Sequence, residues 1–196
     1  ERVRLIKEIE KIRNSRVITY VMSDRPGINP DVSMIQPDDL RELYDHLQTI
    51  KEGEKIDLYI YSRGGASVTA WALVNLFREH TSDFNVIVPY KAMSCATSIA
   101  IGANEIVMGR MAELGPVDPT VRTIIDNKIT NVSTEDLSSY IAFLKDKFGI
   151  KREKNTIQAF QQLAQNVQPL LLGNAYRSYL KARDDATKLL QLHLTD

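Results

Sequence analysis

Ser94 is the residue whose position in the sequence is best suited to chemistry. A strand-like run, residues 86–88, ends at Pro89, and a small, apolar stretch typical of a buried helix begins at Cys95. A serine at such a turn exposes its hydroxyl beside the free N–H groups of the helix N-terminus, which attract negative charge. By position alone, however, the simpler interpretation is that Ser94 caps the helix.

A second strand-to-helix turn carries two adjacent glycines. The strand-like run 56–61 leads into Gly64 and Gly65, and an apolar helical pattern starts at Val68. Glycines permit positive φ and a close approach of the backbone, and they leave N–H groups free to bind an anion. One such turn is common and indicates little. Together, the two turns predict a site in which one supplies a nucleophile and the other an oxyanion donor.

These turns belong to a repeated series of strands and helices. The patterns predict strands near residues 16–22, 56–61, 86–88, 105–108, 121–125 and 128–132. They predict helices near residues 1–15, 39–50, 68–77, 95–102, 133–148, 153–166 and 173–193. This order predicts an α/β fold in one domain over residues 1–196, with a helical segment at about 153–193. Residues 23–37 hold three prolines and are predicted to be a connecting loop.

Composition excludes several classes of partner. The 25 Lys and Arg residues balance the 25 Asp and Glu residues among 196, so neither nucleic acid nor an anionic membrane is indicated as a partner. The single Cys95 excludes an internal disulfide and a Cys-rich metal site, and it fits a reducing compartment. No apolar run approaches the length of a membrane span. We expect a cytoplasmic protein that needs no metal and no cofactor.

Four stretches carry a resemblance to a known family. Residues 60–66, IYSRGGA, resemble the Gly-Gly turn of the Clp protease/crotonase superfamily, and residues 92–97, AMSCAT, resemble the nucleophile turn of its peptidase branches. Residues 114–119, LGPVDP, and the tail 168–177, QPLLLGNAYR, resemble the serine dehydrogenase proteinase family, which is related to signal peptide peptidase A. The resemblance runs from about residue 5 to residue 193 and implies a Clp protease/crotonase-like fold.

The resemblance also implies functions for particular residues. It identifies Ser94 as the nucleophile of a serine endopeptidase, and it places the oxyanion hole at the backbone N–H groups of Gly64 and Cys95. Arg63 departs from the family pattern, because a Pro or Thr usually precedes the Gly-Gly pair. This substitution bears on the peptide groove and leaves the backbone of the two glycines available.

The general base is the least certain member of the predicted site. Clp protease uses a histidine roughly 25 residues after its serine, but residues 95–192 contain no His. The alternative is a Ser-Lys dyad, as in signal peptide peptidase A and the stomatin-operon partner protease, in which burial deprotonates a lysine. Lys128 lies between apolar runs, and residues 128–131 resemble the lysine-bearing stretch of the stomatin-operon protease. Lys145 is the alternative base.

The resemblance further implies a peptide or unfolded protein as substrate and a homo-oligomer as the assembled state. Two other classes of function stay open. One is a catalytically silent binding or assembly module that keeps the fold without a working base. The other is a crotonase-like acyl-CoA enzyme, against which Ser94 counts, because those enzymes do not place a serine at this helix start.

Overall fold

The computed structural model describes residues 1–25, 27–29, 32–118, 120–125, 128–133 and 169–191, with the single positions 142, 146 and 161. The helices are α1 (Arg2–Arg13), α2 (Asp39–Leu47), α3 (Ser67–His80), α4 (Cys95–Ile101) and α5 (Pro169–Gln191). The strands are β1 (Arg16–Val21), β2 (Ile56–Tyr61), β3 (Phe84–Val88), β4 (Lys91–Ala92), β5 (Glu105–Met108), β6 (Glu113–Leu114), β7 (Thr120–Ile125) and β8 (Lys128–Ser133).

Four strands form a parallel sheet in the spatial order β1, β2, β3, β5. The two central strands are buried almost continuously, as expected for a parallel sheet that is covered on both faces. Their fully buried apolar residues are Ile56, Leu58, Ile60, Phe84, Val86 and Val88. Because the strands are parallel, their carboxyl ends meet at one edge of the sheet, where ligand sites of α/β proteins commonly lie.

The amino-terminal edge of the sheet is held by one buried carboxylate. Asp57, in the second position of β2, is fully buried and accepts hydrogen bonds from Arg13 Nε and Ser15 Oγ, both at 2.6 Å. Arg13 Nη2 also donates to Glu105, the first residue of β5, at 2.6 Å. This ion-pair network attaches the last turn of α1 to two strands of the sheet.

The contacts divide the chain into two compact units, Glu1–Val117 with Asp184–Asp196, and Asp118–Arg183. In the second unit β7 and β8 form an antiparallel hairpin, with Thr120 opposite Ser133 and Ile125 opposite Lys128. In the first unit the end of α5 closes the core. Leu189 is fully buried, and a Cβ added to Gly102 would lie 3.1 Å from its Cδ2 atom. One peptidase domain over residues 1–196 stays a prediction.

The α/β fold predicted from the sequence is confirmed, and the bounds of β2 and β5 agree with the prediction. Between Pro89 and Ser94, where the sequence predicted no strand, the chain forms strand β4, which pairs with β6. Helix α5 begins at Pro169, four residues before the predicted start, because proline is well accommodated in the first turn of a helix. The helices predicted at 133–148 and 153–166 lie outside the described residues, apart from helical positions 142, 146 and 161. No described helix is long and apolar enough to cross a membrane.

Candidate active site

Ser94 has a backbone conformation that an L-residue rarely adopts. Its φ is 51° and its ψ is −114°. The other described non-glycine residue with positive φ is Asn14, whose ψ of 51° is the ordinary left-handed conformation at the end of a helix. Sparsely populated conformations cost about 1–3 kcal/mol, persist only where the surroundings enforce them, and cluster at active sites. The strained backbone of Ser94 therefore makes this residue a candidate for a functional role.

Helix capping does not explain Ser94. The residue occupies the N-cap position of α4, yet its side chain makes no capping hydrogen bond. The simplest interpretation of its position, a serine whose hydroxyl stabilises the helix start, is therefore wrong. The side chain is half-buried, and its hydroxyl lies on a strained turn without making a capping hydrogen bond.

The Gly64 turn lies against Ser94, as the two-turn prediction requires. Gly64 has a φ of 107°, and a Cβ placed on it would lie 2.9 Å from Ser94 Cβ and 3.5 Å from Ser94 Oγ. Two backbone hydrogen bonds join the turns, from Ser62 N–H to the Lys91 carbonyl at 2.9 Å and from Met93 N–H to the Ser62 carbonyl at 3.0 Å. A side chain at position 64 would therefore displace the nucleophile candidate.

The second glycine, Gly65, contacts the predicted loop 23–37, which holds three prolines. Ile35 is fully buried; its N–H donates to the Gly64 carbonyl at 2.9 Å, and its carbonyl accepts from Ala66 N–H at 2.9 Å. A Cβ on Gly65 would overlap the Ile35 backbone. The loop that the sequence predicted to be a connector thus also supports the glycine turn, and of its two isoleucines Ile35 is buried there while Ile28 is exposed.

The two predicted oxyanion donors differ in this structure. Gly64 N–H donates to Ser62 Oγ at 3.0 Å, a side-chain contact that the sequence did not reveal. Cys95 is the first residue of α4, so its N–H has no partner carbonyl one turn earlier within the helix. Among the described backbone hydrogen bonds none uses the Cys95 N–H, which can therefore donate to a ligand, whereas the Gly64 N–H must first release the Ser62 hydroxyl.

Thr97 joins the helix that follows Ser94 to a neighbouring strand pair. Its buried hydroxyl lies 2.7 Å from the Ala92 carbonyl and 2.8 Å from the Gly115 carbonyl, and it accepts the Gly115 N–H at 3.1 Å. Ala92 is the last residue of β4, and Gly115 directly follows β6. Thr97 therefore fixes the backbone that leads into Ser94, and sequence analysis gave it no such role.

These features point to one family, and comparison with known proteins agrees. Residues 1–195 match the ClpP-like SDH-type serine proteinases. The chain belongs to that family. It is similar to two proteins of Methanocaldococcus jannaschii: uncharacterized protein MJ1495, with 29% identity over 180 residues (79% of this chain, 61% of that protein), and uncharacterized protein MJ0137, with 28% identity over 180 residues (78% and 63%). The chain spans about three fifths of the length of these relatives.

Among the groups around Ser94 of this SDH-type proteinase, the Cys95 thiol is not suited to be the nucleophile. It is buried and donates to the Ala66 carbonyl at 3.2 Å. Burial raises the pKa of the thiol from 9.0 to about 12, so it stays protonated near neutral pH. Since the thiolate is the reactive form, the hydroxyl of Ser94 is the better candidate.

The lysines differ in what the structure says of them. Lys91 lies 3.5 Å from Glu113 and 4.9 Å from the centre of the Tyr90 ring, and both neighbours raise its pKa, which disfavours it as a base. Lys128 begins β8 opposite Ile125 in the second unit, and its role as base stays a prediction. Lys145 lies outside the described residues. The described residues contain no group of three His, Cys, Asp or Glu that could hold a metal ion.

Proposed function

We propose that this SDH-type proteinase is a serine peptidase that cleaves peptide bonds through an acyl-enzyme on Ser94, with a lysine as the general base. The proposal rests on Ser94, which has a strained backbone conformation and makes no capping hydrogen bond. Its Cβ lies against Gly64. A serine hydroxyl needs a base because it is a weak nucleophile at its own pKa. Lys128 is the base that we propose.

The reaction follows from these assignments. Ser94 Oγ attacks the peptide carbonyl carbon while its proton passes to the Lys128 amine. The carbonyl oxygen becomes an oxyanion, which the N–H of Cys95 stabilises, joined by the N–H of Gly64 once that group releases Ser62 Oγ. The C–N bond then breaks and the departing amine takes the proton from Lys128. Water attacks the resulting ester and restores Ser94.

A serine-directed fluorophosphonate tests the nucleophile. Mass spectrometry should place the adduct on Ser94, and Ser94→Ala should abolish labelling and lower turnover by at least about 10³-fold. Ser82→Ala is the matched control, since Ser82 is exposed in the turn before β3, and it should label like the parent protein. Labelling that persists in Ser94→Ala would refute the assignment. A folded protein that neither labels nor cleaves peptides would instead be a binding or assembly module.

The base is tested separately. Lys128→Ala should lower kcat by about 10²–10⁴-fold, and Lys128→Arg should not restore it, because a guanidinium does not lose its proton in proteins. Lys181→Ala, on the exposed side of α5, is the matched control. Because a lysine base must be deprotonated, parent activity should rise with pH. If Lys145→Ala alone causes the loss, the base is Lys145.

We further propose that the chain forms a homo-oligomer. The support is the apolar surface of α5, where Tyr176, Leu180 and Leu190 are exposed, together with the family resemblance, which implies an oligomer; closed symmetry is then expected. Light scattering at micromolar concentration should give a multiple of the 22.2 kDa chain mass. A monomer at that concentration would contradict the proposal.

A further inference from the structure

Arg63, within the glycine turn, forms no hydrogen bond or ion pair with its side chain in the part of the chain that the structure describes. Ser62 is buried and accepts the Gly64 N–H, Gly64 needs positive φ and a close approach to Ser94, and Gly65 seats Ile35. Arg63 stands among them with an exposed side chain. An exposed cationic side chain that forms no hydrogen bond or ion pair among the described residues contributes little to the stability of the turn.

Arg63 lies close to the proposed nucleophile. Its Cα is about 3.8 Å from that of Gly64, and a Cβ on Gly64 would be 2.9 Å from Ser94 Cβ. Adding a Cα–Cβ bond of about 1.5 Å, Arg63 Cα lies within about 8 Å of Ser94 Cβ, which is roughly two residues of an extended peptide. The guanidinium can therefore reach the side chains that flank a scissile bond at Ser94.

Two charged residues near this end of β2 have partners other than Arg63. Asp24 accepts a hydrogen bond from the Tyr61 hydroxyl, and Lys91 pairs with Glu113. The bond to Asp24 raises the pKa of Tyr61 to about 12, and the charge of Arg63 slightly opposes that rise. In the part of the chain that the structure describes, no acid forms an ion pair with Arg63.

We propose that Arg63 determines substrate specificity by binding a carboxylate of the peptide within about two residues of the bond cleaved at Ser94. The proposal rests on the peptidase function proposed above and narrows its substrates to peptides with Glu or Asp at such a position, or with a free C-terminus there. Arginine suits this task because its planar group binds a carboxylate through two parallel hydrogen bonds.

The test compares peptides that differ by one charge. A fluorogenic peptide carrying Glu at each position flanking the scissile bond in turn is compared with its Gln counterpart, each with an amidated and a free C-terminus. One Glu position should raise kcat/KM by about 3–10-fold, in keeping with a partly exposed charge pair. Arg63→Gln should remove that preference, and Arg63→Glu should favour Lys at the same position. A preference that follows the free C-terminus instead identifies the terminal carboxylate as the ligand.

A control variant and a binding measurement make the outcome decisive. Lys51→Glu makes the same change of charge at an exposed position before β2, at the opposite edge of the sheet, and should keep the preference. Ser94→Ala binds without cleaving, so anisotropy with labelled Glu and Gln peptides reports recognition alone. Equal binding and equal cleavage of all the pairs, or a preference that survives Arg63→Gln, would overturn the assignment of Arg63. If the parent protein binds Glu peptides selectively but does not cleave them, the result would support Arg63 as the carboxylate-binding residue and refute the peptidase function.

Discussion

The two edges of the parallel sheet use their polar groups in opposite ways. At the amino-terminal edge, the buried Asp57 is fully paired with Arg13 and Ser15. At the carboxyl edge, Ser94 stands on a strained turn with no capping bond, against a glycine that has no side chain. At one edge the polar groups are paired and stabilise the fold, and at the other the half-buried serine proposed as nucleophile lies on a turn whose strain costs stability. Substitutions at the amino-terminal edge should therefore change mainly stability, and substitutions at the carboxyl edge should change mainly activity.

The largest expected effect concerns stability at the amino-terminal edge. Asp57→Ala leaves Arg13 without its buried partner and should lower the free energy of unfolding by about 3–5 kcal/mol, measured by urea denaturation. Glu105→Ala is the matched control, because it removes the other partner of Arg13. The Glu105 side chain is 54% exposed, so its loss should cost at most about 1 kcal/mol. The folded fraction of both variants should keep the parent kcat; a lower kcat would mean that the two edges are coupled.

The next effect concerns the contact between the two turns. Gly64→Ala places a Cβ 2.9 Å from Ser94 Cβ and should lower kcat by about 10²-fold, because small displacements of a catalytic group have costs of this size. Gly53→Ala is the control, since Gly53 also has positive φ, at 83°, but nothing lies within 4 Å of an added Cβ. Both variants lose stability from backbone strain, so parent-like kcat in Gly64→Ala would show that the contact does not position Ser94.

A smaller effect tests Thr97 as a positioning residue. Thr97→Val keeps the shape but loses the hydroxyl that holds Ala92 and Gly115. We expect a fall in kcat of about 10-fold with little change in KM, while Thr97→Ser restores kcat. The variants should be compared after correction for the folded fraction. If kcat changes only in proportion to folding, Thr97 serves stability alone.

The smallest effect is a dependence of stability on pH. The Cys95 thiol has a pKa raised by burial from 9.0 to about 12, so folding favours its protonated form. The stabilisation from the protonated thiol is complete below pH 9 and is lost as the pH rises toward 12. The loss is about 1 kcal/mol by pH 10. Cys95→Ser, which does not ionise in this range, should show a shallower loss of stability between pH 9 and 10. Equal slopes would mean that the thiol is no more shielded than in the unfolded chain.

The sequence predicted those parts of the molecule that depend on local pattern. The bounds of β2 and β5 and the position of Ser94 between a strand and a helix followed from hydrophobic periodicity. The pairing of Gly64 with Ser94 was expected only in outline, and the close contact itself needed coordinates. The bound Ile35 and the β4–β6 pair were missed because their partners lie 20 or more residues away in the chain. No short window of sequence contains both members of such a pair.

The candidate site shows the same limit at the level of single atoms. The sequence made capping the simplest interpretation of Ser94, because residue type and position satisfy that role. The family resemblance already favoured a nucleophile, and the backbone angles and the lack of a capping bond then argued against capping. The hydroxyl of Ser62 on the Gly64 N–H was likewise invisible, because serine in a turn has several backbone groups within reach.

The burial of Leu189 has a consequence for the order of events during synthesis. Leu189 packs against Gly102, directly after the helix that Ser94 begins, yet it is made 95 residues after Ser94. At about 5–20 residues per second, roughly 5–20 seconds pass between the synthesis of Ser94 and that of Leu189, and until then this part of the core is unfilled. The nascent protein is therefore expected to acquire the finished scaffold of the candidate site only after Leu189 has left the ribosome.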